Sequence, residues 1–165
     1  MQAAGLMVTI FWSSLTVGRF LMGVVSGRTT PAKIVQGATL GVICGTALIA
    51  ASSAVSGSTI GGLVTAFGLL LTGLCLSPIF PMLMHDTPRC VGKEHSVNLI
   101  GFQAGSGTLG FAILPIVIGT VLRLYSTEWL GSLLTGLAVT LFALLVLRER
   151  AQLTGRSPDG LVRPW

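Results

Sequence analysis

The segment IGGLVTAFGLLLTGLCLSPIFPMLM (residues 60–84) contains no charged side chain. It is longer than the roughly 20 apolar residues that a helix needs to cross the hydrocarbon core of a bilayer. Four other apolar runs of similar length lie at 4–26, 34–55, 97–121 and 129–147. We therefore predict an all-α membrane bundle of five transmembrane helices within residues 1–147, followed by a polar and disordered cytoplasmic tail at 148–165.

The composition excludes an ordinary soluble domain. Apolar residues make up 52% of the chain, charged residues only 9%, and the mean hydropathy is +0.86. Soluble proteins carry about 25% charged residues, so this chain has too few to cover a surface. The net charge of +5 comes from basic residues scattered over short loops, which favours a lipid bilayer as partner and no nucleic acid. The three cysteines have no metal-ligand spacing, and we expect no cofactor and no metal.

Lysine and arginine predict the orientation of the chain. When five spans alternate, the loops at 27–33 and 85–96 and the tail share one side of the membrane. That side holds Arg28, Lys33, Arg89, Lys93, Arg148, Arg150, Arg156 and Arg163. The opposite side holds only Arg123. The positive-inside rule then places the C-terminus in the cytoplasm, with the protein in the plasma (inner) membrane.

Glycines recur at four-residue spacing in two of the runs. Gly37, Gly41 and Gly45 form one ladder, and Gly101 and Gly105 repeat the spacing in the fourth run. Small residues let membrane helices approach closely and gain van der Waals contact, so we predict helix packing on these faces. The alternative is that membrane helices simply contain more glycine.

Three prolines lie inside the predicted helices, at Pro78, Pro81 and Pro115. Each withdraws the amide donor that would bond the carbonyl four residues earlier. At membrane depth a freed carbonyl must face protein or water. Either these are packed and tolerated kinks, or they are bends that let a helix end move as a gate does.

Arg19 is the only charged residue in the five runs. An arginine at the bilayer centre costs about 2.5–3.5 kcal/mol on insertion scales. Snorkelling to the cytoplasmic surface is one explanation, but helical side chains lean toward the N-terminus, which here leads away from that surface. Ser77 and Gln103 lie at a similar depth, roughly 9–11 Å from the inner end at about 1.5 Å per residue. We predict one polar layer from these three, with the counter-charge supplied by a carbonyl, an anionic ligand or a carboxylate on helices outside this chain.

Three motifs resemble one family of transporters. FWSSLTVGRFLMGVVSGR (11–28) is similar to the eighth helix of major facilitator superfamily transporters of the fucose:proton symporter-like sugar branch. LSPIFPMLM (76–84) is similar to the tenth helix and NLIGFQAGSGTLGFAILP (98–115) to the eleventh. The resemblance runs through all five helices in order.

The resemblance implies two six-helix bundles built of inverted repeats, with a site at the midplane between them. This chain then corresponds to a C-terminal piece that does not transport alone and needs the N-terminal helices from elsewhere. The complete molecule is expected to be a secondary active transporter for a small polar solute, such as a sugar, coupled to protons. Candidate solute or coupling residues are Arg19, Ser77, Gln103, Trp12 and Asn98. For Trp12, a lipid-facing or core-facing side chain is the alternative to stacking on a sugar.

The inner-loop motif of the superfamily is only partly present. Gly23 and Arg28 match it, whereas Gly27 stands at the acidic position and 30–32 replace the remaining residues. The charge relay of that motif is therefore not expected here.

Two other functions are considered. The chain is alternatively a non-transporting membrane subunit that holds partner helices through its glycine faces. A membrane enzyme has little support, because His85, Asp86, Glu94 and His95 share the inner loop but match no metal or catalytic template. We predict a solvated loop there and no enzymatic activity.

Overall fold

The computed structural model describes residues 2–25, 30–53, 58–124 and 129–154. These residues form six α-helices and no strand. The helices are α1 (Gln2–Val25), α2 (Pro31–Ser52), α3 (Thr59–Leu76), α4 (Ile79–Val91), α5 (Lys93–Leu124) and α6 (Trp129–Thr154).

The described residues contain five segments that are long and apolar enough to cross a membrane. They are Gly5–Val24, Pro31–Ser52, Thr59–Pro88, Glu94–Leu124 and Trp129–Arg150. The third segment comprises α3 and most of α4, which meet at a turn formed by Ser77 and Pro78. The predicted all-α membrane bundle of five spans is thus confirmed.

Three helices, α4, α5 and α6, extend beyond the apolar runs. The prediction of a polar loop at 85–96 is wrong for most of that range, since α4 continues to Val91 and α5 begins at Lys93. Gly92 alone separates them, with a φ of +80° that favours glycine. At the other end of the chain, α6 extends to Thr154, although its apolar run stops at 147. Backbone hydrogen bonds hold a helix together in water as well as in lipid, so a helix need not end where its apolar run does. The rest of the predicted tail, 155–165, lies outside the described residues.

Two helix starts follow from their first residues. Ser58 precedes α3, and its hydroxyl accepts a hydrogen bond from the Gly61 amide at 3.1 Å. Pro31 is the first residue of α2, where a missing amide hydrogen costs nothing because it would have no helical partner. Both starts lie where the preceding sequence is polar, so the capping signals and the hydropathy pattern agree.

α3 lies between α1 and α2, and α2 also packs against α6 and α4. Among the described residues, the buried apolar side chains lie on α2, α4 and α6, and they are Ile34, Val35, Ala38, Val42, Ile79 and Ala138. α2 and α3 are antiparallel, because Thr65 donates to the Ser52 hydroxyl at one end while Gly41 abuts Cys75 nearer the other. This is the direction that consecutive membrane spans must take. α5 contacts α4 and touches α6 only slightly.

Candidate functional site

α1 and α3 meet through two reciprocal pairs of small residues. Ser14 lies against Gly73, and Gly18 lies against Ser77. A β-carbon on Gly18 would stand 2.7 Å from the Leu74 carbonyl oxygen and 3.1 Å from the Ser77 β-carbon, so no larger residue fits there without a shift. Ser14 and Gly18 are four residues apart on α1, as Gly73 and Ser77 are on α3, and the two pairs follow the same chain direction. The two helices are therefore parallel, with close backbones.

The turn at Ser77 and Pro78 lies directly beside this pair. Both residues are buried, and Ser77 is only 4% exposed. Pro78 withdraws the amide that would bond the Leu74 carbonyl, and the Ser77 hydroxyl donates to that carbonyl at 3.1 Å instead. The freed carbonyl therefore faces protein, as membrane depth requires. The regular helix is interrupted here over two residues, at a point where α1 permits no bulky side chain.

Arg19 is next to Gly18 but on another side of α1. Its side chain is exposed, and within the described residues it takes part in no hydrogen bond or ion pair. Trp12 is 59% exposed, and its ring forms an edge-to-face pair with that of neighbouring Phe11, at a centroid distance of 6.1 Å. Thr16 lies between them along the same face of the helix. The three residues form an exposed stripe, which we call the Arg19 face.

Gln103 and Asn98 lie on α5. The Gln103 side-chain oxygen accepts a hydrogen bond from the buried Thr87 hydroxyl at 3.1 Å, which ties α5 to α4. Asn98 is exposed. The described contacts bring Ser77 beside Gly18 but join Gln103 to neither Ser77 nor Arg19. The polar layer of Arg19, Ser77 and Gln103 stays a prediction.

The predicted packing glycines fall into two groups. Gly41 abuts the Cys75 side chain, and a β-carbon on Gly45 would stand 2.9 Å from the Gly68 carbonyl oxygen. Gly37, Gly101 and Gly105 have no described atom within 4 Å of such a β-carbon. Packing on these last three faces stays a prediction.

The remaining predicted residues are placed as follows. Pro81 lies exposed in the first turn of α4, and Pro115 lies exposed within α5. Gly23 lies exposed near the end of α1, and Arg28 lies outside the described residues. A gating role for the prolines stays a prediction.

One polar cluster at an end of the bundle was not predicted. Arg148 on α6 forms an ion pair with Asp86 on α4, with 3.2 Å between Nη2 and Oδ2. Beside it, the Gln36 amide on α2 donates to the Glu149 carboxylate on α6. The four side chains line a small cavity of about 40 Å³ where the three helices meet. The prediction that Asp86 belongs to a solvated loop is therefore wrong.

No local sequence pattern predicts this end cluster, because its members are far apart in sequence. Only their positions could have indicated it, since each lies within about two turns of a helix end on the side where the basic residues collect. The described residues contain no group of three or more metal-ligating side chains. The cluster is thus an interhelical polar contact.

Four packing glycines were also missed, namely Gly18, Gly68, Gly73 and Gly131. Each of them has a serine or threonine four positions away, so a search for small residues of any type would have found them. Those residues are Ser14, Thr72, Ser77 and Thr135. The contact of Gly131 is with the Ala50 backbone.

The fold defines a polytopic membrane protein whose third span is interrupted beside a small-residue helix pair. In sequence, the chain is 29% identical over 149 residues to the Major facilitator superfamily domain-containing protein 4A of Xenopus tropicalis. The aligned region covers 88% of this chain and 28% of that protein. No family model matches the chain, and no solved structure matches it. The similarity supports a relationship to the major facilitator superfamily, and it does not distinguish the fucose:proton symporter branch.

Proposed function

We propose that these residues form part of the C-terminal half of a major facilitator superfamily transporter, similar to the fucose:proton symporter branch. The complete transporter moves a small polar solute, such as a sugar, together with protons by alternating access. Residues 1–165 do not transport on their own, because the site of such a transporter lies between two halves. The principal support is the similarity that covers 88% of this chain.

The interrupted third span supports the transport mechanism. Alternating access needs a segment at membrane depth whose ends can change direction without exposing backbone groups to lipid. The turn at Ser77 and Pro78 meets this need, since the Ser77 hydroxyl satisfies the Leu74 carbonyl. Gly18 lets α1 remain in close contact with the turn. In this proposal, movement of α4 relative to α3 opens and closes the cytoplasmic end.

In this proposal, the contact between α4 and α6 at the end cluster breaks when α4 moves. Asp86 lies at the far end of α4 from the turn and pairs with Arg148. An ion pair that is partly exposed contributes little stability, so it can be broken during a transport cycle at low cost. We assign this end to the cytoplasm, with the C-terminus, because the basic residues of the chain collect there.

The test is uptake by the full-length product of the gene that encodes these residues, reconstituted in vesicles with an imposed proton gradient. A panel of radiolabelled monosaccharides is offered, with and without a protonophore. We expect uptake of at least one sugar that rises with the inward proton gradient and collapses with the protonophore. Residues 1–165 alone are expected to show none.

Arg19→Leu in that full-length protein is expected to abolish proton-dependent uptake, because Arg19 is the charged group at membrane depth. Arg123→Leu is the matched control, since Arg123 is an exposed arginine in the last turn of α5. Unchanged uptake in Arg19→Leu would contradict its coupling role. Absence of gradient-driven uptake for every sugar would contradict the proposed substrate class.

A further inference from the structure

α1 presents three different sides. One packs against α3 through Ser14 and Gly18, which are both buried. A second borders an apolar groove of about 330 Å³ that α1 shares with Leu70 and Leu74 of α3. The third is the Arg19 face, whose residues Trp12, Thr16 and Arg19 follow each other at spacings of four and three. These spacings align side chains along one side of a helix, so the Arg19 face is a continuous stripe.

Arg19 is the charged donor on this stripe, and no acceptor for it lies among the described residues. The Thr16 hydroxyl donates to the Trp12 carbonyl at 3.0 Å, so it does not offer its hydrogen to a neighbour. Arg19 has no hydrogen bond or ion pair among the described residues. A guanidinium carries five donors in a planar fork, and leaving it unpaired within a membrane span is unfavourable.

The described carboxylates of the chain do not meet this need. Asp86 bonds to Arg148, and Glu149 accepts from Gln36. Glu94 lies exposed in the first turn of α5. Glu128 and Asp159 lie outside the described residues, and both belong to polar stretches beyond the apolar runs. An acceptor at the depth of Arg19 must therefore come from another molecule or another segment.

We infer that the Arg19 face docks a second transmembrane helix that carries an Asp or Glu at the depth of Arg19. Charge complementarity selects the acidic residue, because a carboxylate accepts two parallel hydrogen bonds from a guanidinium. The length of the Arg19 face favours a helix over a free ion, because a helix can contact the whole stripe. Trp12 lies about two turns from Arg19 on the same side and offers a large flat surface along which a partner helix packs.

This inference requires only that α1 crosses the bilayer, and it does not depend on transport. Failure of sugar uptake therefore leaves it standing, and its own failure leaves the transport proposal standing. The two are tested by separate measurements, uptake in one case and helix association in the other.

The test is association of the full chain, in vesicles of zwitterionic phosphatidylcholine, with a synthetic transmembrane peptide. The peptide is a polyleucine helix with one glutamate about 12 Å from the end that matches the cytoplasmic end of α1. The matched peptide carries glutamine at the same position. Energy transfer from Trp12 to a dansyl group on the peptide reports binding, in a background of Trp129→Phe and Trp165→Phe that leaves Trp12 as the only tryptophan.

We expect the glutamate peptide to bind about tenfold more tightly than the glutamine peptide, a preference typical of polar contacts between membrane helices. Arg19→Gln is expected to remove this preference, and Arg19→Lys to retain part of it. Arg123→Gln, which removes an equal charge elsewhere, is expected to leave it unchanged. Equal binding of both peptides, binding of neither, or a preference that survives Arg19→Gln would overturn the inference.

A second measurement addresses anionic lipid as the occupant. Brominated phosphatidylglycerol and brominated phosphatidylcholine are compared as quenchers of Trp12 fluorescence. We expect the two lipids to quench equally. Stronger quenching by phosphatidylglycerol that disappears in Arg19→Gln would assign the face to a lipid phosphate and overturn the docking of an acidic helix.

Discussion

α2 and α5 are equally hydrophobic and yet pack very differently. Both spans have a mean hydropathy of 1.8, but 39% of the apolar window of α2 is buried and none of that of α5. α2 is enclosed by α3, α4 and α6, whereas α5 is held chiefly by α4. Hydropathy thus decides that a helix enters the bilayer, but it does not decide which helix it packs against.

The same contrast holds for their glycines. Gly45 of α2 packs against Thr72 and Gly68 of α3, whereas Gly105 of α5 has no described neighbour within 4 Å of a β-carbon built on it. Both belong to the same four-residue spacing. The spacing permits close approach, and contact then requires a partner helix with a small residue or an accessible backbone at the opposing position.

The largest expected effect concerns the enclosed helix. Gly45→Leu forces a side chain into the Gly68 carbonyl and the Thr72 backbone, and neither can move without shifting α3. We expect the free energy of unfolding to fall by about 3 kcal/mol, at the upper end for overpacked cores. The measurement is equilibrium unfolding by SDS in mixed micelles, followed by circular dichroism.

Gly37→Leu and Gly105→Leu are the matched controls. Gly37 lies on the same helix two steps of the ladder away, and neither glycine has a described atom within 4 Å of a β-carbon. Both substitutions are expected to change the free energy of unfolding by less than about 0.5 kcal/mol. If all three variants lost equal stability, the distinction between enclosed and open glycines would be wrong.

A smaller effect is expected at the turn between α3 and α4. Ser77→Ala removes the hydroxyl that bonds the Leu74 carbonyl, at a position where Pro78 has already removed the amide donor. An unsatisfied buried acceptor costs about 1–3 kcal/mol, and we expect a loss near 1.5 kcal/mol in the same unfolding experiment.

Ser106→Ala on α5 is the control for this substitution. The Ser106 hydroxyl also bonds a carbonyl three residues earlier, that of Gln103 at 2.9 Å, but it is exposed and no proline follows it. Its removal is expected to cost less than about 0.5 kcal/mol. Equal losses in the two variants would show that the proline break does not depend on Ser77.

The smallest effect is expected at the end cluster. Asp86 and Arg148 are 24% and 38% exposed, so solvent screens their ion pair. A double-mutant cycle with Asp86→Asn and Arg148→Gln is expected to give a coupling free energy of about 0.5 kcal/mol, which decreases in high salt. A coupling that salt leaves unchanged would indicate a pair shielded from solvent.

The sequence predicted the spans well because each apolar run matches the thickness of a bilayer. It failed at 85–96, where polar residues suggested a loop although α4 and α5 continue with only Gly92 between them. The end cluster was beyond prediction for another reason. Gln36, Asp86 and Arg148 are brought together by helix packing, and nothing in one sequence records which helix ends meet.

The interrupted span was predicted in part. Pro78 predicted a freed Leu74 carbonyl, because a proline lacks the amide hydrogen that would bond the carbonyl four residues earlier. The donor that replaces that amide, the Ser77 hydroxyl, depends on a rotamer that the sequence does not specify. The approach of Gly18 to this turn depends in turn on the register between α1 and α3.

The central claim is that the five apolar segments cross the membrane in alternating directions, and cysteine accessibility tests it most directly. Cys44, Cys75 and Cys90 are replaced by alanine, and single cysteines are introduced by Thr59→Cys at the start of α3 and Glu94→Cys at the start of α5. Sealed cells are treated with a membrane-impermeant maleimide. We predict that the cysteine at 59 reacts at once and that the cysteine at 94 reacts only after permeabilisation. Labelling of both positions from the same side would contradict the account.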